Sequence, residues 1–246
     1  MPVILQKGTD EAKRSYLQAL FREVYFTDIV RRHRLSSAEL LENVADILFS
    51  SVGSLTNPTK IANTISSVQG QSATQPTVSK HIAYLEDAFL VSSVKRFDVK
   101  GRAYLDSPLK YYAEDIGLRN ARLNFRQLEE THLMENVIYN ELIARGCSVD
   151  VGIVPVTRKT DGRMTHRQHE IDFVVNYGLR KIYVQSAFAI QDEAKRIQET
   201  LPLLKTGDFF RKIIVTNGFR PATTDQDGIV YVGVIPFLLN PSILLE

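Results

Sequence analysis

The chain has 246 residues, of which 44% are hydrophobic and 24% charged, and these ordinary globular values exclude wholesale disorder. A net charge of +2 indicates no overall field directed at nucleic acid or membrane, and no apolar run reaches the roughly 18 residues of a membrane span. The single cysteine, Cys147, excludes an intrachain disulfide and a zinc site built from cysteine alone, and predicts a cytoplasmic protein.

The first part of the chain is dominated by apolar residues at helical spacing. Asp10 is the candidate N-cap of the first helix, and Pro76 stands at a helix start, where its missing N–H costs nothing. The predicted elements are helices over 10–33, 37–52, 59–65 and 76–89, and strands over 90–97 and 102–105.

Short helices, a turn and a two-stranded hairpin are the parts of a winged helix-turn-helix, which we predict over about 36–105. The helix that starts at Pro76 supports this prediction, because it has two chemically different faces. One face is apolar and is expected to pack inward: Val78, Ile82, Leu85 and Phe89. The other offers donors for base edges and phosphates, with Ser79 at its border: Thr77, Lys80 and Tyr84.

The predicted hairpin is basic around its turn, and its candidate DNA-binding residues are Lys95, Arg96 and Arg102. Residues 51–104 carry six basic and three acidic residues, so the local excess of positive charge is small and binding should weaken with salt. Glu86 and Asp87 at the helix end disfavour phosphate. Winged helices also dock proteins, so DNA recognition and protein docking both remain open here.

Residues 106–128 are predicted to be a linker between a helical region, 1–105, and a second domain, 129–246. The second domain has mixed elements, with a hydrophilic turn predicted over 157–167. Its predicted elements are a helix over 129–145, strands over 148–154, 170–175 and 181–188, a helix over 192–204, and strands over 212–215 and 229–234. The fold class is therefore mixed α/β.

The order helix, three strands, helix, strand is that of the restriction-endonuclease-like PD-(D/E)xK fold. Active members place one acid on the second strand, and another on the third with a Lys two residues later, to hold Mg²⁺ and assist water. Here Asp172 matches the first acid, and Glu135 on the preceding helix is a candidate auxiliary ligand. Gln185 and Ala187 replace the second acid and the Lys. The catalytic set is therefore expected to be vestigial.

Two further sets of side chains in the second domain are relevant to its chemistry. Lys195 and Arg196 on the next helix are candidate replacements for the missing cation, which keeps a metal-dependent nuclease with relocated residues open. His166 and His169, with Cys147 upstream, do not have zinc-site spacing, and a solvated turn is the preferred interpretation. No metal is therefore assigned.

Neither G-x-x-x-x-G-K-[ST] nor G-x-G-x-x-G occurs in the chain, so no nucleotide is expected to bind in a glycine-rich loop, and no cofactor is assigned. The candidate partners are double-stranded DNA, an ATPase module or a second copy of the chain. No membrane partner is expected.

Several stretches resemble one known family, the predicted AAA-type ATPases of bacteria and archaea that carry an uncharacterised domain after the ATPase module. The matching stretches are residues 25–29, 77–80, 84–89, 115–120, 135–142, 145–146, 170–173 and 183–185. The resemblance implies a winged helix followed by a nuclease-like domain, in which a Gln commonly replaces the catalytic Glu. Family proteins place a P-loop ATPase before this region, so the chain is expected to be a fragment, and ATP and Mg²⁺ are expected only with the missing module.

Overall fold

A computed structural model describes residues 2–68, 70, 72–160 and 163–245, together with their side chains except those of Pro2 and of 157–160 and 163–166. The mixed α/β class is confirmed by the helices and the eight-stranded sheet of this part of the chain. The residues divide into two compact units, 1–93 with 110–129, and 94–109 with 130–246.

The first unit is helical. It contains a π-helical segment at Leu20–Phe26, and it also includes residues 91–93 and 110–113, which belong to two strands. Its helices are α1 (Pro2–Leu5), α2 (Asp10–Ala19), α3 (Thr27–Arg32), α4 (Glu39–Ser50), α5 (Pro58–Val68), α6 (Gln75–Asp87) and α7 (Ile116–Arg122).

The core of the first unit is apolar, as the periodicity predicts. Leu41, Val44 and Leu48 on α4 and Ile61 and Ile65 on α5 are at most 1% exposed. They are spaced three or four residues apart along each helix, which places them on one face. This packing supports α6, the candidate recognition helix, which contacts both α4 and α5.

The second unit is built on the sheet. Its order is β2-β1-β3-β4-β5-β6-β8-β7, with parallel pairs at β1–β3, β5–β6 and β6–β8. The strands are β1 (Val91–Asp98), β2 (Ala103–Ala113), β3 (Ser148–Thr160), β4 (Arg163–Tyr177), β5 (Arg180–Ala187), β6 (Arg211–Thr216), β7 (Thr223–Thr224) and β8 (Ile229–Gly233). The helices are α8 (Glu130–Ala144), α9 (Glu193–Leu204) and α10 (Val234–Leu239), followed by a 3-10 turn at Pro241–Leu244.

One face of this sheet packs a core that includes Val154, Ile171, Tyr183 and Ile214, together with Leu203 of α9. These residues are all fully buried. Helix α9 therefore covers this face at the carboxyl end of β5, where the candidate nuclease residues lie.

The segment predicted as a linker is folded. β2 continues to Ala113, and α7 follows it, capped by Asp115, whose Oδ1 accepts from the Leu118 N–H at 2.9 Å. Arg119 on α7 has a side chain only 1% exposed, and its Nε donates to the Phe49 carbonyl at 2.9 Å. The polar composition of residues 119–122 indicates a loop. Arg119, the first of them, is instead buried and makes a long-range hydrogen bond.

Two local predictions need correction. Thr9, and not Asp10, caps α2, since its hydroxyl accepts from the Ala12 N–H at 3.2 Å. The turn predicted over 157–167 is largely hairpin, because β3 continues to Thr160 and pairs there with Arg163 on β4. Residues 161 and 162 lie outside the described part. Backbone pairing extends the hairpin regardless of side-chain polarity.

None of the helices in the described residues combines the length and the apolar character that crossing a bilayer requires.

Candidate functional site

The first candidate site is the outward face of α6, in the first unit. Thr74 caps the helix, since its Oγ1 accepts from the Thr77 N–H at 3.4 Å and lies 2.9 Å from the Thr77 hydroxyl. Ser79 accepts from the Gln75 side chain at 3.1 Å. The hydroxyls of Thr77 and Ser79 therefore already have local partners, and Lys80 is the exposed charge of this face.

The inward face of α6 is confirmed in part. Val78, Ile82 and Leu85 are at most 4% exposed, as predicted. The prediction for Phe89 is wrong, because α6 ends at Asp87 and Phe89 follows it with a φ of 53° and 78% of its surface exposed. His81, which we did not assign to the core, is buried, and its Nδ1 lies 2.8 Å from the Thr77 carbonyl oxygen.

Tyr84 is half-buried because another ring lies on it. The His33 ring stacks on Tyr84 with centroids 3.6 Å apart and planes at 17°. Lys80 Nζ lies 5.9 Å from the Tyr84 ring centroid on the same helix. His33 directly follows α3, so the stack brings the basic end of that helix to α6. That end carries Arg31, Arg32 and Arg34.

A cavity of about 300 Å³ lies on this face of the first unit. Its lining residues are Leu35, Pro76, Thr77, Lys80, His81 and Tyr84. Three of the four α6 residues predicted to contact DNA therefore share one concave surface, and Ser79 is outside it.

The predicted hairpin residues lie in the second unit. Lys95 on β1 is exposed, and Arg102 is exposed in the turn between β1 and β2 with a φ of 52°. Arg96 is half-buried and donates from Nη2 to the Gln168 side chain at 3.2 Å. Of these three candidates, Arg96 is therefore the one that bonds to a side chain of β4.

The second candidate site surrounds the residues at nuclease positions. Phe173 on β4 pairs with Val184 on β5, which makes Asp172 and Gln185 neighbours across the two strands. The Ser186 N–H donates to Asp172 Oδ2 at 2.9 Å, and Gln185 Oε1 accepts from the Asp172 N–H at 3.2 Å. Both side chains are buried, as is Glu135 on α8.

Sequence reasoning missed the acid that completes this cluster. Glu199 on α9 is 7% exposed, and its Oε2 accepts from Gln185 Nε2 at 3.0 Å. Its Oε1 lies 2.5 Å from Lys195 Nζ, one helical turn earlier. The spacing of four residues from Lys195, and of four from buried Leu203, is the signal that could have identified Glu199.

The two cations proposed as replacements differ in position. Lys195 is part of the cluster through Glu199, whereas Arg196 is paired with Glu193 on its own helix, at 2.6 Å. The described residues contain no group of three or more His, Cys, Asp or Glu that could hold a metal ion. An Asp, a Gln and a Glu neutralised by Lys195 offer a metal less charge than a two-acid centre.

A cavity of about 550 Å³ opens beside this cluster in the second unit, lined in part by Ser186, Lys195 and Glu199. The histidines considered for zinc do not change this description. Cys147 is buried, His169 is half-buried on β4, and the side chain of His166 lies outside the described part.

A family model described as a domain of unknown function, DUF8612, matches residues 1–129. The chain belongs to this family. The match ends at Glu129, where the first structural unit also ends. An uncharacterised protein of Haemophilus influenzae is 34% identical over 228 residues, which cover 93% of this chain and 53% of that protein. The chain thus spans about half the length of the curated relative it matches. No solved structure matches the chain.

Proposed function

We propose that this DUF8612 protein recognises duplex DNA and does not cleave it. The observation that carries the proposal is the stack of His33 on Tyr84, which sets the basic end of α3 beside the exposed Lys80 of α6. In this proposal α4, α5 and α6 act as a helix-turn-helix, with α6 as the recognition helix. Lysine and arginine at the start of a recognition helix supply the phosphate contacts that dominate DNA affinity.

The hydrogen bonds of Glu199 support the proposed absence of cleavage. One of its oxygens is occupied by Gln185 and the other by Lys195, at 3.0 and 2.5 Å. A divalent cation would have to displace both partners of this buried carboxylate, and Mg²⁺ gives up its water only to strongly anionic sites. We therefore propose that the second unit is a degenerate nuclease fold.

The chain is proposed to work with an ATPase module. The resemblance to AAA-type ATPases implies such a module, and the Haemophilus influenzae relative has about half of its length outside the matched region. ATP and Mg²⁺ belong to that module in this proposal. We place the protein in the cytoplasm, because its one cysteine is free and suits a reducing compartment.

Protein docking is the second candidate function. Phe89 and Val68, both in the first unit, expose 78% and 76% of their surface. Exposed apolar side chains at the ends of α5 and α6 are suited to a protein partner, whereas phosphate contact does not use them.

Duplex binding by the full chain tests the proposal. A labelled duplex should bind with an affinity that falls with salt, and Lys80→Ala and Arg31→Ala should each weaken binding and lower the salt slope by about one. Lys205→Ala removes an exposed lysine in the second unit and is the matched control. No duplex binding at low salt, or equal losses in the control, would reject DNA recognition in favour of protein docking.

A further inference from the structure

A cluster of three aromatic rings and one lysine lies in the second unit, and two of its rings are exposed. We call it the aromatic–lysine patch: Phe97, Tyr104, Lys181 and Phe210. The Phe97 and Tyr104 rings pack at 5.3 Å between centroids, at 60°. Lys181 Nζ lies 5.0 Å from the Phe97 centroid and 5.5 Å from the Phe210 centroid. One ammonium group therefore contacts two rings, and a third ring extends the row.

The rings of the patch are accessible. Tyr104 exposes 56% of its surface and Phe210 exposes 44%, while Phe97 is half-buried beneath them. The rings are accessible because of where α9 packs on the sheet. Tyr183 and Ala187 on β5 share a core with Leu203 of α9, but Lys181, on the same face of β5 two residues before Tyr183, lies at the start of the strand. The patch borders this core, because Phe97 packs against it.

Hydrogen bonding fixes the orientation of the outer ring. The Tyr104 hydroxyl donates to Asp150 Oδ2 at 3.1 Å. Burial raises the pKa of Asp150, whereas this hydrogen bond and the charges of Lys95 and Lys181 lower it. Asp150 is therefore surrounded by two lysines and a phenol, and it positions the Tyr104 ring.

Basic side chains border the patch, and in the adjoining turn Asp98 Oδ1 accepts from the Lys100 N–H at 3.0 Å. Lys95 lies two residues before Phe97 on β1 and is therefore on the same face. Lys100 and Arg102 are exposed at the turn that joins β1 to β2. Positive side chains bordering a row of exposed rings are complementary to a polyanion that also carries flat, unpaired rings.

We propose that the aromatic–lysine patch binds single-stranded nucleic acid, with unpaired bases stacking on Tyr104, Phe97 and Phe210 and phosphates contacting Lys181 and Lys95. Bases in a duplex are stacked on one another and offer no free face, so the patch selects single strands. This proposal rests on neither α6 nor the nuclease positions. It adds a second nucleic-acid surface of different chemistry.

Fluorescence anisotropy of the full chain with a labelled oligothymidine tests the proposal, and an oligouridine of equal length distinguishes DNA from RNA as the source of the strand. Tyr104→Ala and Phe210→Ala should each weaken binding about tenfold, since one stacked base is lost in each. Tyr104→Phe keeps the ring and should bind nearly as wild type. Phe219→Ala removes another exposed ring of the same unit and is the control.

Different variants test the duplex-binding proposal and the single-strand proposal. Lys80→Ala should leave oligothymidine binding unchanged, whereas Tyr104→Ala should weaken it. Circular dichroism and thermal unfolding of each variant show that it remains folded. The proposal is overturned if the wild type binds neither oligothymidine nor oligouridine at low salt, if Phe219→Ala costs as much as Tyr104→Ala, or if Lys80→Ala weakens oligothymidine binding as much as Tyr104→Ala does.

Discussion

Gln185 donates a hydrogen bond from Nε2 to Glu199 Oε2, over 3.0 Å, between β5 and α9. In the proposed nuclease-like fold the amide takes the position of a catalytic carboxylate, and it binds an acid that comes from the next helix. Because Glu199 also pairs with Lys195, the polar groups satisfy one another inside the protein. Such a cluster stabilises the fold and leaves a weak site for a metal.

The chain should not cut DNA. Supercoiled and single-stranded DNA incubated with it in Mg²⁺ or Mn²⁺ should remain intact, because Gln185 brings no charge and Ala187 no cation to the developing phosphorane. Losing one such electrostatic contact typically lowers the rate about a hundred- to thousandfold. Gel electrophoresis measures the outcome, with Asp172→Ala in parallel. Cleavage by the wild type that this variant abolishes would make the nuclease with relocated residues the better hypothesis.

Introducing an acid at position 185 should destabilise the protein. In Gln185→Glu two buried carboxylates replace an amide–carboxylate hydrogen bond, and the free energy of unfolding at pH 7 should fall by about 2 kcal/mol. Gln198→Glu makes the same change at an exposed position of α9 and should be nearly neutral. Urea unfolding followed by circular dichroism compares them. Equal stability of the two variants would contradict the buried hydrogen bond.

Arg119 should be essential to the first unit. Its side chain is 1% exposed, donates to the Phe49 and Gln127 carbonyls, and lies 3.7 Å from Glu129. Arg119→Ala leaves buried acceptors unpaired and should cost about 3 kcal/mol or more of unfolding free energy. Arg126→Ala, at an exposed position in the same segment, should cost less than about 0.5 kcal/mol. If both variants unfold at the same denaturant concentration, Arg119 has no such role.

Cys147 should react slowly with thiol reagents in the native protein. Burial raises the pKa of its thiol above the ordinary value, although the charge of Arg145 opposes the change, so less thiolate is present at a given pH. The thiolate is the reactive form. At pH 8 the rate with a disulfide reagent should rise at least about tenfold when denaturant unfolds the chain. A native rate equal to the unfolded one would mean that Cys147 is accessible.

Local patterns predicted much of the framework. Helical spacing identified the buried positions Val78, Ile82 and Leu85, and the apolar stretch that includes Val184 identified β5. Such patterns succeed because burial follows the period of the element, 3.6 residues in a helix and two in a strand. They failed at Phe89, where the period continues beyond the last helical residue and the chain turns to a positive φ.

The sequence likewise predicted some residues of the candidate sites and missed others. Asp172 and Gln185 were identified from sequence because their strands are regular and neighbouring. Glu199 was not, since its role comes from a contact with a residue 14 positions away. Periodicity does not predict the stack of His33 on Tyr84 either. In the segment from 106 to 128, polar composition predicted a linker, but a hydrogen bond that spans 70 residues buries Arg119.

The sequence by itself determined the mixed α/β class, the order of most helices and strands, and the apolar faces that build both cores. These properties depend on composition and on spacing within one element. The tertiary structure alone decided which polar groups meet: Gln185 with Glu199, His33 with Tyr84, and Lys181 with Phe97 and Phe210. Each of these contacts joins different elements, so its geometry depends on how helices and strands pack, which no local pattern encodes.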